Sequence, residues 1–151
     1  PTATNTHGPK REKGRDGCRV PLPWEAEKDD FGFSAPATHA PAHLPQPAWF
    51  AGHAVDVEET DEHSMLRYYR RALALRAELL TATGDTSLTW ADGYDDQVIA
   101  YRRPTADGRV LTSVTNFGPR PVELPEGEVL LASTELEDGM LPTDATAWVI
   151  R

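Results

Sequence analysis

Gln97-Val98-Ile99-Ala100-Tyr101-Arg102-Arg103, followed across Pro104-Thr105-Ala106-Asp107-Gly108 by Arg109-Val110-Leu111-Thr112-Ser113-Val114-Thr115-Asn116-Phe117, is the stretch that decides the fold. Successive side chains of a strand point to opposite faces, so a half-buried strand alternates in character. Val98, Ala100 and Arg102 alternate here with Ile99, Tyr101 and Arg103. The β-branched and aromatic residues suit a pleated surface. Asp107-Gly108 supplies the residue pair that accepts positive φ in a tight turn, so the two runs are expected to pair as an antiparallel hairpin.

The same period of two continues on both sides. Residues 86–91 read as a strand before Asp92-Gly93, and shorter strands are expected at 122–124, 129–132 and 147–150. Gly118-Pro119, Pro125, Asp138-Gly139 and Pro142 separate them. Short strands with tight links predict a small antiparallel β-sandwich or open barrel over 85–151. A unit of this size is near the lower limit for independent stability, so it is expected to lean on the element before it.

That element is a helix over 61–82. Met65, Leu66, Tyr69, Ala72, Leu73, Leu79 and Leu80 recur at spacings of three and four, which puts them on one face. Asp61 is the expected N-cap, and Thr83-Gly84 ends the helix. Upstream, residues 1–60 read as a long loop. Pro1, Pro9, Pro21, Pro23, Pro36, Pro41, Pro45 and Pro47 each fix φ and remove a donor, which excludes a long helix or a central strand. Trp24, Phe31, Phe33, Leu44, Trp49 and Phe50 set the segment apart from disordered sequence, so it is expected to be ordered by a body it packs against.

Composition narrows the functional classes. The chain has 151 residues and a formal charge of -9, which disfavours nucleic acid as a partner. A 39% hydrophobic content supports a core, and no run approaches the ~18 apolar residues of a membrane span. The single Cys18 excludes an internal disulfide and fits a reducing, cytoplasmic setting.

The obvious catalytic clusters are weak. His39 and His43 have helical metal-ligand spacing, but Pro41 between them removes the helix, so no metal site is expected. Glu58-Glu59, Asp61-Glu62 and Asp95-Asp96 are adjacent acids at a helix start or turn and read as solvated carboxylates. Ser34, Ser64 and Ser87 lack a nucleophile elbow. Cys18 lies between Arg15 and Arg19, whose charge favours thiolate, and reads as a buried or idle thiol. What remains is Arg15-Asp16-Gly17-Cys18-Arg19, with two guanidiniums suited to polyhydroxyl or anionic ligands.

Gly14-Arg15-Asp16-Gly17-Cys18-Arg19-Val20-Pro21-Leu22-Pro23-Trp24 resembles the Gly-Arg-Asp-x-x-Arg-x-Pro-x-x-Trp segment of α-glucosidases and oligo-1,6-glucosidases in glycoside hydrolase family 13, the α-amylase family. Phe31-Gly32-Phe33-Ser34 and Leu44-Pro45-Gln46-Pro47 resemble its continuation. The Asp61-to-Arg76 pattern resembles the helix that closes the barrel, and Asn116-Phe117 and Leu141-Pro142…Ala147-Trp148 resemble the C-terminal β domain. Leu22-Pro23 and His43 depart from the commoner Met-Gln and Trp.

The resemblance implies a fragment: residues 1–84 as the long loop and last helix of a (β/α)8 barrel, then 85–151 as the C-terminal all-β domain. It implies a retaining glycosidase in which an Asp nucleophile, a Glu acid and a second Asp lie on upstream barrel strands. No catalytic residue and no cofactor is therefore expected within the chain, and the fragment alone is expected to be inactive. Arg15 matches an arginine contacting the non-reducing glucose, and Arg19 one near the adjacent subsite. The implied partners are malto- or isomalto-oligosaccharides and the upstream barrel. A non-catalytic amylase-like structural protein, or a transglucosylase or trehalose-forming relative, carries the same residues.

Overall fold

A computed structural model of the chain describes residues 18–35, 42–81, 84 and 86–151. It divides into two compact units along the chain, between Tyr68 and Tyr69.

The second unit is built on one five-stranded antiparallel sheet. Its strands are β1 (Thr89–Trp90), β2 (Val98–Pro104), β3 (Val110–Asn116), β4 (Glu128–Ala132) and β5 (Ala145–Ile150), in the order β1-β2-β3-β5-β4. The expected hairpin is present: β2 pairs β3 from Val98↔Asn116 to Pro104↔Val110. Its turn closes with the Thr105 N–H donating to the Arg109 carbonyl at 2.9 Å, and Gly108 takes φ 84°.

Alternation then sorts the sheet into two cores. Ala100, Val114 and Ala147 line up across three neighbouring strands, and with Ala145 and Leu141 they form a buried cluster. Small side chains at 100, 145 and 147 leave the volume that the fully buried Leu141 fills. On the opposite face Leu111 and Ile150, opposite each other in register, meet Leu79, with Leu75, Leu80, Leu130 and Trp148 around them. Each fully buried aliphatic side chain contributes roughly 1.5–3 kcal/mol.

Two expectations are corrected here. The sandwich has one sheet among the described residues, not two. Residues 122–124 make a single bridge, Val122↔Leu141, because Pro121 and Pro125 flank them and interrupt any ladder. Val122, Leu124, Leu136 and Leu141 still cover the first face, so the second layer is an irregular excursion held by that bridge and by Glu137↔Met140. The first strand is also shorter than 86–91, since 86–88 do not pair.

The helix differs as well. Val55–Thr60 forms a short helix, α1, where loop was expected, and α2 begins at Met65 and runs to Arg76. Asp61 is not its N-cap: its carboxylate accepts the His63 N–H at 2.9 Å in the turn between the helices. Ser64 caps α2 instead, its Oγ accepting from the Arg67 N–H at 3.2 Å and donating to the Glu58 carbonyl at 2.6 Å. A π-helical turn, Ala77–Thr81, comes directly after α2. Leu79 in that turn is buried and Leu75 of α2 packs beside it, whereas Met65, Tyr69 and Leu73 of the expected apolar face are exposed. Gly84 has φ 68°, the left-handed geometry expected after a helix.

In the first unit, two 3-10 turns, Asp29–Gly32 and Ala48–His53, precede α1. Ala54 and Pro23 are buried there, whereas Trp24, Phe33 and Trp49 are exposed. No described helix is long and apolar enough to cross a membrane.

Candidate functional site

The stretch from Cys18 to Trp24 has no ladder, because its prolines cannot donate to one. Its backbone is fixed instead by the entry to α1. The Val55 N–H donates to the Pro23 carbonyl at 3.2 Å and the Asp56 N–H to the Trp24 carbonyl at 3.1 Å. These are first-turn amides without intrahelical partners, so they are available to the loop. The Asp56 carboxylate faces back and accepts the Ala26 N–H through both oxygens, each at 3.1 Å, across 30 residues of chain. It also accepts the Val57 N–H at 2.9 Å.

Beyond Ala26 the chain reverses. The Trp24 and Glu25 N–H groups both donate to the Phe31 carbonyl, at 2.8 and 2.9 Å. Three successive residues take positive φ: Asp30 at 43°, Phe31 at 51° and Gly32 at 71°. Glycine is needed at 32, where a Cβ would lie 3.1 Å from Glu25 Oε1. Asp30 tolerates the left-handed region, but a phenylalanine there costs on the order of 1–2 kcal/mol. Gln46 holds the strained turn: its Nε2 donates to the Asp30 carbonyl at 3.0 Å and to the Pro21 carbonyl at 3.3 Å. Phe31 and Phe50 pack with ring centroids 6.4 Å apart, and Phe50 meets Trp49 edge-on at 4.6 Å.

Arg19 stands at the start of this braced segment and is exposed. Arg15, like Asp16 and Gly17, lies outside the described residues, as do His7 and His39. The structure therefore places Arg19 on a defined loop and describes nothing of Arg15.

Glu58 corrects the reading of the acid pairs as solvated. Its side chain is 19% exposed, Oε1 is 3.4 Å from His53 Nδ1, and Oε2 accepts the Leu66 N–H at 3.0 Å. It ties the end of the second 3-10 turn to the start of α2. Asp95 accepts the Gln97 N–H at 3.0 Å in a turn. Among the described residues, no group of three or more His, Cys, Asp or Glu is placed to hold a metal ion.

Asp56 and Gln46 are the residues that sequence reasoning missed. Acidic residues favour the first turn of a helix, but α1 is too short to show the periodicity that would have revealed it. Gln46 lies between two prolines and offers no pattern.

Comparisons with known proteins place the chain. Residues 85–148 match the family model described as "Domain of unknown function (DUF3459)". A "Probable alpha-glucosidase" from Rhizobium meliloti (strain 1021) is 45% identical over 67 residues, covering 42% of this chain and 11% of that protein. "Alpha-glucosidase MAL12" of Saccharomyces cerevisiae (strain ATCC 204508 / S288c) is 30% identical over 112 residues, covering 72% of this chain and 18% of the yeast protein. A crystal structure described as "Putative alpha Amylase from Salmonella typhimurium" aligns at 23% identity and TM-score 0.45, over 74% of this chain and 21% of that one. The chain thus spans between 11% and 18% of the length of these curated relatives.

Proposed function

We propose that this chain, which resembles the C-terminal segment of α-amylase-family glycoside hydrolases, serves a whole protein that removes terminal α-linked glucose from short oligosaccharides with retention of configuration. On this reading residues 1–84 form the tail of the catalytic barrel and 85–151 the C-terminal β domain. The three catalytic carboxylates stand elsewhere in the whole protein, and the chain alone is inactive. Arg15 and Arg19 orient the sugar. The observation that carries the reading is the similarity to α-glucosidases over 112 residues, combined with the Gly14-to-Trp24 motif.

The role is one of positioning. A guanidinium donates to sugar hydroxyls without changing charge, and a charged hydrogen bond contributes about 1.5–3 kcal/mol. That corresponds to roughly 10- to 150-fold in kcat/KM. The single Cys18 supports action in the cytoplasm, where thiols stay reduced.

The test is Arg15→Ala and Arg19→Ala in the whole protein, assayed on an aryl α-glucoside, with the anomer first released followed by NMR. Losses of tenfold or more, with α-glucose appearing first, are expected. Unchanged kinetics in both variants, or β-glucose as the first product, overturn the reading.

A further inference from the structure

Resting on that reading, the geometry points to Asp56 and Gln46 as positioning residues for sugar recognition, acting through the loop that carries Arg19. Neither needs to touch the sugar. Their role is to define where Arg19 stands.

Between Arg19 and Ala26 there is no strand pairing and no helix, so few local bonds set the path of the backbone. Besides the Trp24 and Glu25 N–H groups, which donate to the nearby Phe31 carbonyl, four described anchors are long-range. Two are backbone bonds from the first turn of α1 to the Pro23 and Trp24 carbonyls. The other two come from side chains. The Asp56 carboxylate receives the Ala26 N–H on both oxygens, and the Gln46 amide reaches the Pro21 carbonyl at 3.3 Å and the Asp30 carbonyl at 3.0 Å. One clamp therefore grips the segment two residues after Arg19, and the other grips it seven residues after.

The strained turn is the second observation. Asp30, Phe31 and Gly32 all hold positive φ, and at Phe31 that conformation persists only where surrounding contacts enforce it. Gln46 bonds the carbonyl of the first of them, and its other contact is on the Arg19 side. A single amide thus couples the strained turn to the segment bearing the guanidinium. Ideal placement matters for a charged donor, because a displacement of about 1 Å takes a hydrogen bond out of range.

The experiment is a double-variant cycle in the whole protein. Asp56→Ala is expected to lower kcat/KM for an aryl α-glucoside by about tenfold, mainly through KM, and Gln46→Ala by about threefold. In an Arg19→Ala background each should change kcat/KM by less than about twofold, because the residue they place is gone. Asp56→Asn keeps an oxygen for the Ala26 N–H and should recover at least half of the lost activity. In the whole protein, Asp56→Ala should also speed exchange of the Ala26 amide by about tenfold or more and leave the amides of β3 unchanged, which separates loop release from global unfolding. A merely structural role predicts equal losses with and without Arg19, and that result overturns the inference while the proposed function stands. If Arg19→Ala is itself silent, the role given to Arg19 fails and the inference fails with it.

Discussion

Replacing Asn116 by Ala should be among the most damaging single changes in the second unit. Asn116 is fully buried at the end of β3. Its Oδ1 accepts the Gly118 N–H at 2.8 Å, and its Nδ2 donates to the carbonyls of Arg120 at 2.9 Å and of Leu141 and Pro142 at 3.1 Å each. Two of these four partners keep another bond without the amide. The Leu141 carbonyl also receives the Val122 N–H at 2.9 Å, and Arg120 is exposed, where water can replace the amide. Gly118 and Pro142 are buried, so a donor and an acceptor are stranded away from water. Each unsatisfied buried group costs about 1–3 kcal/mol, giving a total near ~4 kcal/mol. For residues 69–151, about 80 residues at roughly 0.1 kcal/mol each, that is about half of the whole stability. The midpoint of thermal unfolding, followed by circular dichroism on the 151-residue chain, should fall by about 20 °C. Asn116→Asp should be worse at neutral pH, since it turns a carboxylate oxygen toward three carbonyls. Burial and those carbonyls favour the protonated form, so the folded-state pKa sits above the unfolded value near ~4. That variant should therefore lose stability as pH rises through and beyond about 4. A fall of less than about 5 °C for Asn116→Ala, or no pH dependence in Asn116→Asp, refutes the reasoning.

Two further perturbations test other parts of the unit. Gly127→Ala should cost about 2 kcal/mol or more, because Gly127 has φ 149° and a Cβ there would press on the Ile150 carbonyl and lie 2.8 Å from Val149 Cγ1; a melting temperature within about 2 °C of the parent would contradict that clash. Asp107 should resist protonation: its carboxylate takes Arg109 Nη2 at 2.6 Å and Nε at 2.8 Å and Thr105 Oγ1 at 2.6 Å, and the guanidinium beside it holds the carboxyl well below the usual range. A depressed folded-state pKa contributes stability that is present above the unfolded value near ~4 and is lost as pH falls below it. The effect on unfolding should be small, because both side chains are nearly half exposed and water screens them. Carboxyl NMR titration of Asp107 is the direct measurement, and a midpoint near ~4 contradicts the pairing.

The β half was legible because period two and turn chemistry agree there. Asp107-Gly108 named the turn between β2 and β3, and the alternation named the faces, since Ala100 and Val114 are buried on one and Leu111 on the other. The second layer was not legible. Val122 has the look of a strand residue, but the prolines beside it leave a single bridge to Leu141. Leu141 is the fully buried centre of the first core, yet it sits in a loop, where no periodic rule selects it. The start of α2 failed for a related reason. Asp61 and Ser64 are both good caps by composition. The choice between them depends on Glu58, whose carboxylate takes the Leu66 N–H and whose carbonyl takes the Ser64 hydroxyl. Those bonds exist only because α1 ends just before them, and α1 itself leaves no sequence period to read.

The candidate site shows the same limit more sharply. Proline at 21, 23, 45 and 47 argues against a long helix or a central strand beside Arg19, but that exclusion says nothing of what holds an irregular segment in place. An unpaired backbone in a compact unit still has to place its donors and acceptors. The carbonyls of Pro21, Pro23 and Trp24 find theirs on Gln46 and on the entry to α1, at least 25 residues further along the chain. Partners at such distances carry no local signature, because a glutamine between prolines and an aspartate in a six-residue helix fit many surfaces equally well. Motif reading therefore finds the guanidinium and misses its supports. The supports are the more exacting part: an exposed arginine with several rotatable bonds orients a sugar only if its backbone is already fixed, since ordering both on binding would spend the affinity of the hydrogen bonds it makes. The bidentate grip on Ala26 and the strained turn behind it are what a loop of this kind requires. They are why Asp56, rather than Arg19 alone, is the residue on which the role of this loop should be tested.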